Sequence, residues 1–442
     1  MENANATEAD IEFLADLTRA TIDSARVYPG QETVGIHEGK PICVTNTLGF
    51  TAIRPAGLKA YPAIWTQDFT MAYSSGLVSR EEGLAHLRLI ASLQNCHGQQ
   101  SLASGAIIPP FAIPDHINLD GTAVFYPGTY SSGPDQGGEP WGICPPLNNY
   151  FDFIWLAYML WKDTGNAGLF QEKIDGLTLL ERMQHAYDVP PVDENTGIVC
   201  TTAERRAVGF IFCDQTYMTG QLLMATLERY RAARQLFEIH TAIGDWEPAR
   251  RYHRDADLIH THLEGVFRSP DDRCGWLRAA TGVSGQAFVW GTLYALYLDI
   301  LSPATRKRAV DQVLKDMETG QIMFEGALRH VPLDGDASPT SAWERSITPH
   351  NRYQNGAFWH TPVGWLIAVL DREHPRQAAA VFQDYIGHLR KGDCRRGELQ
   401  GAPWECIGWG SQADQNPAFV PSVALPYGVL FRTRCFQVKS QL

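Results

Sequence analysis

Four short stretches of this chain set carboxylates beside aromatic rings. The first is Trp65-Thr66-Gln67-Asp68-Phe69. The second is Glu204-Arg205-Arg206, followed by Gly209-Phe210-Ile211-Phe212-Cys213-Asp214. The third opens with Trp343-Glu344-Arg345 and continues through His350, Tyr353, Asn355 and Trp359 to His360. The fourth is Trp404-Glu405-Cys406, with Trp409 three residues beyond. Sugars suit such a set, because pyranose C–H faces pack on Trp and Tyr while the hydroxyls need carboxylate acceptors and amide donors. Cleavage of a glycosidic bond then needs two carboxyl groups, one protonated toward the leaving oxygen and one ionised. Burial against aromatic rings raises a carboxyl pKa and holds an acid protonated near neutrality.

Each cluster also admits a plain structural role. Asp68 is a favoured type for a helix N-cap, and Glu204 is placed to pair with Arg205 or Arg206. Glu344 lies between Trp343 and Arg345 and reads equally as a structural ion pair. Asn355-Gly356 alone reads as a turn or helix start. Glu405, in a Gly-flanked loop between Trp404 and Cys406, reads best as functional, since a buried carboxylate without a task is costly. Other chemistries are missing from the sequence: no G-x-S-x-G, no Walker A motif, no H-E-x-x-H and no G-x-G-x-x-G after a strand. His253, His260 and His262 share a helix with Arg250, Arg251, Arg254 and Asp255, which reads as a solvated face. Asp334-Gly335-Asp336 reads as a turn rather than a calcium loop. No metal and no cofactor is expected.

Helices must position these clusters. In 216–233 the apolar residues Leu222, Leu223, Ala225, Leu227 and Tyr230 recur at steps of three and four, with Glu228 and Arg229 between them. The same periodicity predicts helices over 11–26, 66–77, 81–94, 150–162, 177–187, 248–266, 287–300, 305–317, 356–370, 376–390 and 417–431. Strand signals are sparse. The segments 98–149, 188–213, 330–353 and 391–417 are long, rich in Gly, Pro, Asn and aromatics, and loops of such length usually carry function. About twelve helices in antiparallel pairs, elaborated on one face, predict an all-α (α/α)6 toroid barrel forming a single domain over 1–442.

Composition bounds the partners. The chain has 442 residues and a formal net charge of −12, with 44% apolar but only 19% charged residues. That acidity excludes the basic stripe by which proteins gain counterion release on nucleic acid, and it disfavours an anionic membrane surface. No run approaches the roughly 20 apolar residues of a membrane span. Nine scattered cysteines without a C-x-x-C pair, and a start lacking the features of a secretory signal, predict reduced thiols in a cytoplasmic protein. The expected partner is a small carbohydrate; the oligomeric state is not legible.

The clusters resemble those of the six-hairpin glycosidases built on an (α/α)6 barrel, nearest to the neutral/alkaline invertases, with trehalases, glucosylglycerate hydrolases and debranching-type glucosidases behind them. Tyr61-Pro62-Ala63-Ile64-Trp65-Thr66-Gln67-Asp68-Phe69 is similar to the invertase stretch ending in Arg-Asp-Phe, with Gln67 in place of the Arg. Glu204-Arg205-Arg206 resembles an Asp-Arg-Arg segment whose Asp is the family's general acid. Arg352-Tyr353-Gln354-Asn355-Gly356-Ala357-Phe358-Trp359 is similar to a Tyr-His-Asn-Gly-Gly-Ser-Trp stretch. Trp404-Glu405, with Gln415-Asn416-Pro417 beyond it, resembles the segment carrying the second catalytic carboxylate. The resemblance implies an inverting, exo-acting hydrolase of a small α-glycoside of gluco- or fructo-type. It makes Glu204 the acid, with Asp214 in reserve, and Glu405 the base. Trp65, Asp68, Arg206, Asp214, Trp343, Tyr353, Asn355, Trp359 and Trp404 are the expected substrate-binding residues. Two other readings stay open: a sugar epimerase using His350 and His360 or an unsaturated-uronide hydrolase on a similar barrel, and a non-catalytic sugar-binding protein.

Overall fold

The computed structural model describes residues 7–37, 40–58, 61–207, 212–271, 274–397, 400–408, 410 and 413–432. Residues 208–211 and Trp409, which fall in two of the clusters, lie outside them. Twelve α-helices occur among the described residues: α1 (Glu8–Ala25), α2 (Thr66–Ser74), α3 (Arg80–Ser92), α4 (Asn149–Thr164), α5 (Leu179–Asp188), α6 (Leu223–Ala242), α7 (Trp246–Phe267), α8 (Val289–Tyr297), α9 (Pro303–Glu318), α10 (Val363–Asp371), α11 (Pro375–Lys391) and α12 (Pro421–Tyr427).

The two parities differ in sequence, and that difference builds the barrel. Even-numbered helices are apolar on nearly all sides. Every residue of α2 is buried, as are residues 289–296 of α8 and 363–370 of α10. Odd-numbered helices bury one stripe; in α11 it comprises Ala378, Val381, Phe382, Tyr385, Ile386 and Leu389, spaced at three and four. The even helices touch in the cyclic order α2, α4, α6, α8, α10, α12 and back to α2. The odd helices pack outside them. The fold is therefore an (α/α)6 toroid, as the periodicity predicts, and no helix among the described residues is long and apolar enough to cross a membrane.

Capping follows the same division. Thr7 with Asp10, Ser79 with Glu82 and Thr178 with Glu181 form capping boxes on α1, α3 and α5, and Ser302 caps α9. No even helix has a side-chain N-cap bond. Their N-termini instead meet the long connections 26–65, 93–148, 189–222, 268–288, 319–362 and 392–420, whereas even-to-odd connections are short, for example 243–245 and 372–374. Apart from 165–178, which carries a short hairpin, the elaboration therefore gathers at one end of the torus.

Short strand pairs stitch that end together, and they displace several expected helix starts. Helix α6 begins at Leu223 rather than 216, because Thr216–Tyr217 pairs with Arg345–Ser346 and Gly220–Gln221 with Cys200–Thr201. Helix α10 begins at Val363 rather than 356. Gly356 has φ +107°, and Phe358–Trp359 pairs with Leu328–Arg329. Helix α12 begins at Pro421 because Gln415–Pro417 pairs with Trp404–Cys406. Tertiary pairing overrides helical periodicity in all three places. A hairpin of two six-residue strands, Glu32–His37 with Lys40–Thr45, adds strand that the sparse signals do not announce.

Candidate active site

At the elaborated end lies a cavity of about 560 Å³. Its walls carry Tyr61, Trp65, Tyr130, Trp141, Phe212 and Tyr353, the amides of Gln67, Asn148, Asn149, Gln215, Gln415 and Asn416, and four carboxylates, Asp68, Asp115, Asp214 and Glu405. Among the described residues, no Arg, Lys or His lines it. The open N-termini of α2 and α4 point into it through Trp65, Asp68, Asn148 and Asn149. Their partial positive charge opposes the carboxylates.

Glu405 is 1% exposed and receives three side-chain donors. Tyr61 Oη–H and Asn416 Nδ2–H donate to Oε2, each at 2.5 Å, and Tyr353 Oη–H donates to Oε1 at 2.7 Å. Burial lifts its pKa to about 7, aided by the nearby charge of Asp214 and opposed by the three donors. Asp214 receives the side-chain N–H of Gln354, whose Oε1 in turn accepts the Gln215 amide N–H at 2.7 Å. Burial raises Asp214 to about 6, with the charge of Asp115 adding to it and the Gln354 bond opposing it. Asp68, in the first turn of α2, is pushed well above the usual carboxylate range, first by burial and then by Glu405, Asp115 and Asp214. Asp115 accepts from Asn149 at 3.3 Å and faces His116 Nδ1 at 2.8 Å. The His116 ring stacks beneath Trp65 at 4.6 Å.

Backbone strain concentrates here. Phe212, Tyr353 and Asn416 line the cavity with φ of +55°, +46° and +48°. A left-handed aromatic residue persists only where its surroundings over-determine it. For Tyr353 that surrounding is Arg329, fully buried, which donates to the carbonyls of Val331, Pro332 and Gly356 and to Asp336 and Asn351. A Cβ on Gly356 would meet the Arg329 guanidinium at 2.4 Å, which together with its positive φ explains the glycine.

Of the eleven site residues expected from sequence, Trp65, Asp68, Asp214, Tyr353 and Glu405 meet at the cavity. Glu204 does not: it is fully exposed, and its carboxyl is lowered by its own backbone N–H and by Thr202. Arg206 lies 3.7 Å over the Tyr217 ring and bonds Glu139 at 2.8 Å. Trp343 is fully buried and donates to Gln354 O at 2.8 Å. Asn355 ties Ala342 N–H and Thr348 O. Trp359 stacks on Phe212 at 5.0 Å beneath the cavity wall. Trp404 precedes Glu405 in a strand, so alternation sends it to the opposite face, where it packs on Gly401, Phe358 and Ile407. His350 pairs with Asp336 at 2.6 Å. His360 bonds Glu325 O at 3.0 Å and is held down at about 3 by burial. Neither histidine lines the cavity. Sequence reasoning missed Asp115, Tyr130, Trp141, Asn148 and Asn149. The signal for them was the long 98–149 loop, whose aromatics and amides were noticed only collectively.

No protein-family profile matches the chain, and no curated protein matches it in sequence. Solved structures do match in fold. A rhamnosidase from Klebsiella oxytoca with rhamnose bound aligns at TM-score 0.54 and 10% identity, covering 98% of this chain and 65% of that one. A bacterial glucoamylase complexed with acarbose aligns at TM-score 0.52 and 12% identity, covering 85% and 49%. This chain thus spans just under two thirds of the first and about half of the second. A glycosidase variant in complex with glucose matches nearly end to end, with TM-score 0.54, 12% identity and coverage of 97% and 98%. At these identities the likeness establishes the fold: the chain shares its (α/α)6 barrel with these glycosidases.

Proposed function

We propose that this chain is a glycoside hydrolase acting on a small neutral glycoside, with Asp214 as general acid and Glu405 as general base. The observation that carries the reading is a pair of buried carboxyls, Asp214 and Glu405, in one aromatic-walled cavity whose lining holds no cation. Ionising one holds the proton on the other, so the pair titrates together. Taken singly, Glu405, at about 7, holds its proton more tightly than Asp214, at about 6. The base role proposed for Glu405 therefore rests on the likeness of Trp404-Glu405 to the segment carrying the second catalytic carboxylate, and on the three side-chain donors, against one on Asp214, that orient and stabilise its carboxylate. Asp214 then protonates the glycosidic oxygen while Glu405 takes a proton from the attacking water. Inversion follows if that water fits between carboxyls about 6.5–9.5 Å apart. Asp68 and Asp115 accept sugar hydroxyls, and Trp65 and Tyr130 offer ring faces.

The cavity volume lies within the roughly 300–1,000 Å³ of small-molecule sites and suits a disaccharide-sized substrate; its exo-acting cleavage and gluco- or fructo-type follow from the resemblance alone. Four carboxylates without a cation disfavour an anionic uronide. An epimerase using His350 and His360 is disfavoured because both are engaged elsewhere. The test is a screen of nitrophenyl glycosides and natural disaccharides, following the first-formed anomer by NMR. Release of free sugar with inverted configuration supports the proposal. Saturable sugar binding with no turnover of any glycoside would replace it with the non-catalytic reading.

A further inference from the structure

The torus holds a second cavity, of about 440 Å³, at the end away from the active site. Its wall is built from the C-terminal part of α2, from α4, α6 and α8, and from α10 and α12, so it lies along the barrel axis. Aromatic and apolar side chains form most of its surface, among them Trp155, Tyr294 and Trp365. Among its charged groups, Arg432 pairs with Asp163 and Lys162 with Glu238, which leaves Asp152, Glu228 and Arg231.

These three do not balance. Arg231 donates to Asp152 Oδ1 at 3.3 Å and to the Tyr294 hydroxyl at 2.9 Å, so its charge is answered by Asp152. Asp152 Oδ2 receives Asn148 at 3.2 Å. Glu228 is left over. It is 1% exposed, it lines the cavity, and its Oε2 is buried with no hydrogen-bond partner. Burial, and then the neighbouring charge of Asp152, push its carboxyl well above the usual range, with Arg231 opposing them. An unanswered buried polar atom is costly unless something answers it.

We propose that this cavity is a second binding site, taking a small neutral ring compound with a hydroxyl group, a phenol or cyclic alcohol, whose oxygen bonds Glu228. A protonated carboxyl offers one donor and one acceptor, which a single hydroxyl satisfies reciprocally. The ring packs on the aromatic wall. An ammonium ligand fits less well, because the protein's own cations already take the ring faces it would use. Arg231 stands 4.2 Å over Trp155, and Lys162 stands 5.5 Å over Tyr158. A carboxylate ligand would face Asp152 and Glu228, although Arg231 Nε is also without a partner, and the benzoate arm of the test decides between the two.

The test is isothermal titration of the full chain with 4-methylphenol and cyclohexanol, alongside benzoate and benzylamine. Saturable millimolar or tighter binding of the neutral probes is expected. Glu228→Gln, which keeps a donor and an acceptor, should retain it, while Glu228→Leu should weaken it by about tenfold or more. Leu298→Trp, which fills the cavity rim, should abolish it, and Trp65→Ala in the active site should leave it unchanged. The proposal is overturned by no saturable binding of either neutral probe, by binding that survives Leu298→Trp, by binding lost in Trp65→Ala, or by tighter binding of benzoate or benzylamine than of the neutral probes.

Discussion

Tyr353 donates its phenolic O–H to Oε1 of Glu405 at 2.7 Å, from a backbone held in the left-handed region at φ +46°. That bond stabilises the ionised carboxylate and so holds its pKa below the value burial alone would set. If Glu405 is the base, activity requires it ionised, and the acidic limb of the rate profile reports it. Tyr353→Phe removes one donor. The Glu405 pKa should rise, moving the acidic limb of kcat/KM to higher pH by about half a unit to one unit. A pH profile with its acidic limb unmoved removes Tyr353 from this role.

Glu204 and Asp214 compete for the acid. Glu204→Ala should keep near-normal turnover, because its side chain is fully exposed outside the cavity lining. Asp214→Asn should lower kcat by about 100-fold or more. It should lose least on nitrophenyl glycosides, whose leaving group needs little protonation. Equal losses on activated and unactivated substrates would argue against an acid role.

Arg329 touches none of the cavity yet clasps the loop that carries Tyr353 and Gln354. Arg329→Met strands the carboxylate of Asp336 and several carbonyls, which should cost about 3 kcal/mol of stability. It should also lower kcat more than it raises KM. Chemical denaturation and steady-state kinetics check both. Unchanged kinetics in a destabilised variant would confine Arg329 to folding.

Asp68 links the site to stability. Its folded pKa stands above its unfolded value, so the folded state binds the proton more tightly. Stability from this group is full at low pH and is lost as pH rises through the folded pKa. Asp68→Asn should therefore raise Tm at pH 8, by about 2 °C for a chain of this size, with little effect at pH 4, while activity falls. Thermal scans at the two pH values decide it; an equal shift at both would show that charge is not the cause.

How much was legible in the sequence depends on the range of the forces involved. Helical periodicity is local, so the stripe of α7 formed by Ala249, Tyr252, Ala256, Ile259, Leu263 and Phe267, at steps of three and four, announces itself without tertiary context. The starts of α6, α10 and α12 differ from the periodicity because Thr216, Phe358 and Gln415 pair with residues nine or more positions away. Among site residues, Asp68 and Glu405 stood out by their aromatic neighbours. Trp404 shared that signal but alternates to the other face. Glu204 resembled a known motif, yet the turn carrying it faces solvent. Asp115 sat in a loop with no local pattern to mark it, and only its meeting with Asn149 and the first turn of α2 gives it a place.

Closure of the inner ring has a bearing on biosynthesis. Tyr61 and Glu405 are 344 residues apart, and α2 gains its neighbour α12 only from the last tenth of the chain. During synthesis the nascent polypeptide therefore carries α2, buried on every side once folded, with one flank uncovered until α12 has been made. Contacts of such sequence separation form late and expose apolar surface meanwhile. The pocket that Tyr61 and Glu405 share thus closes only when these distant segments meet.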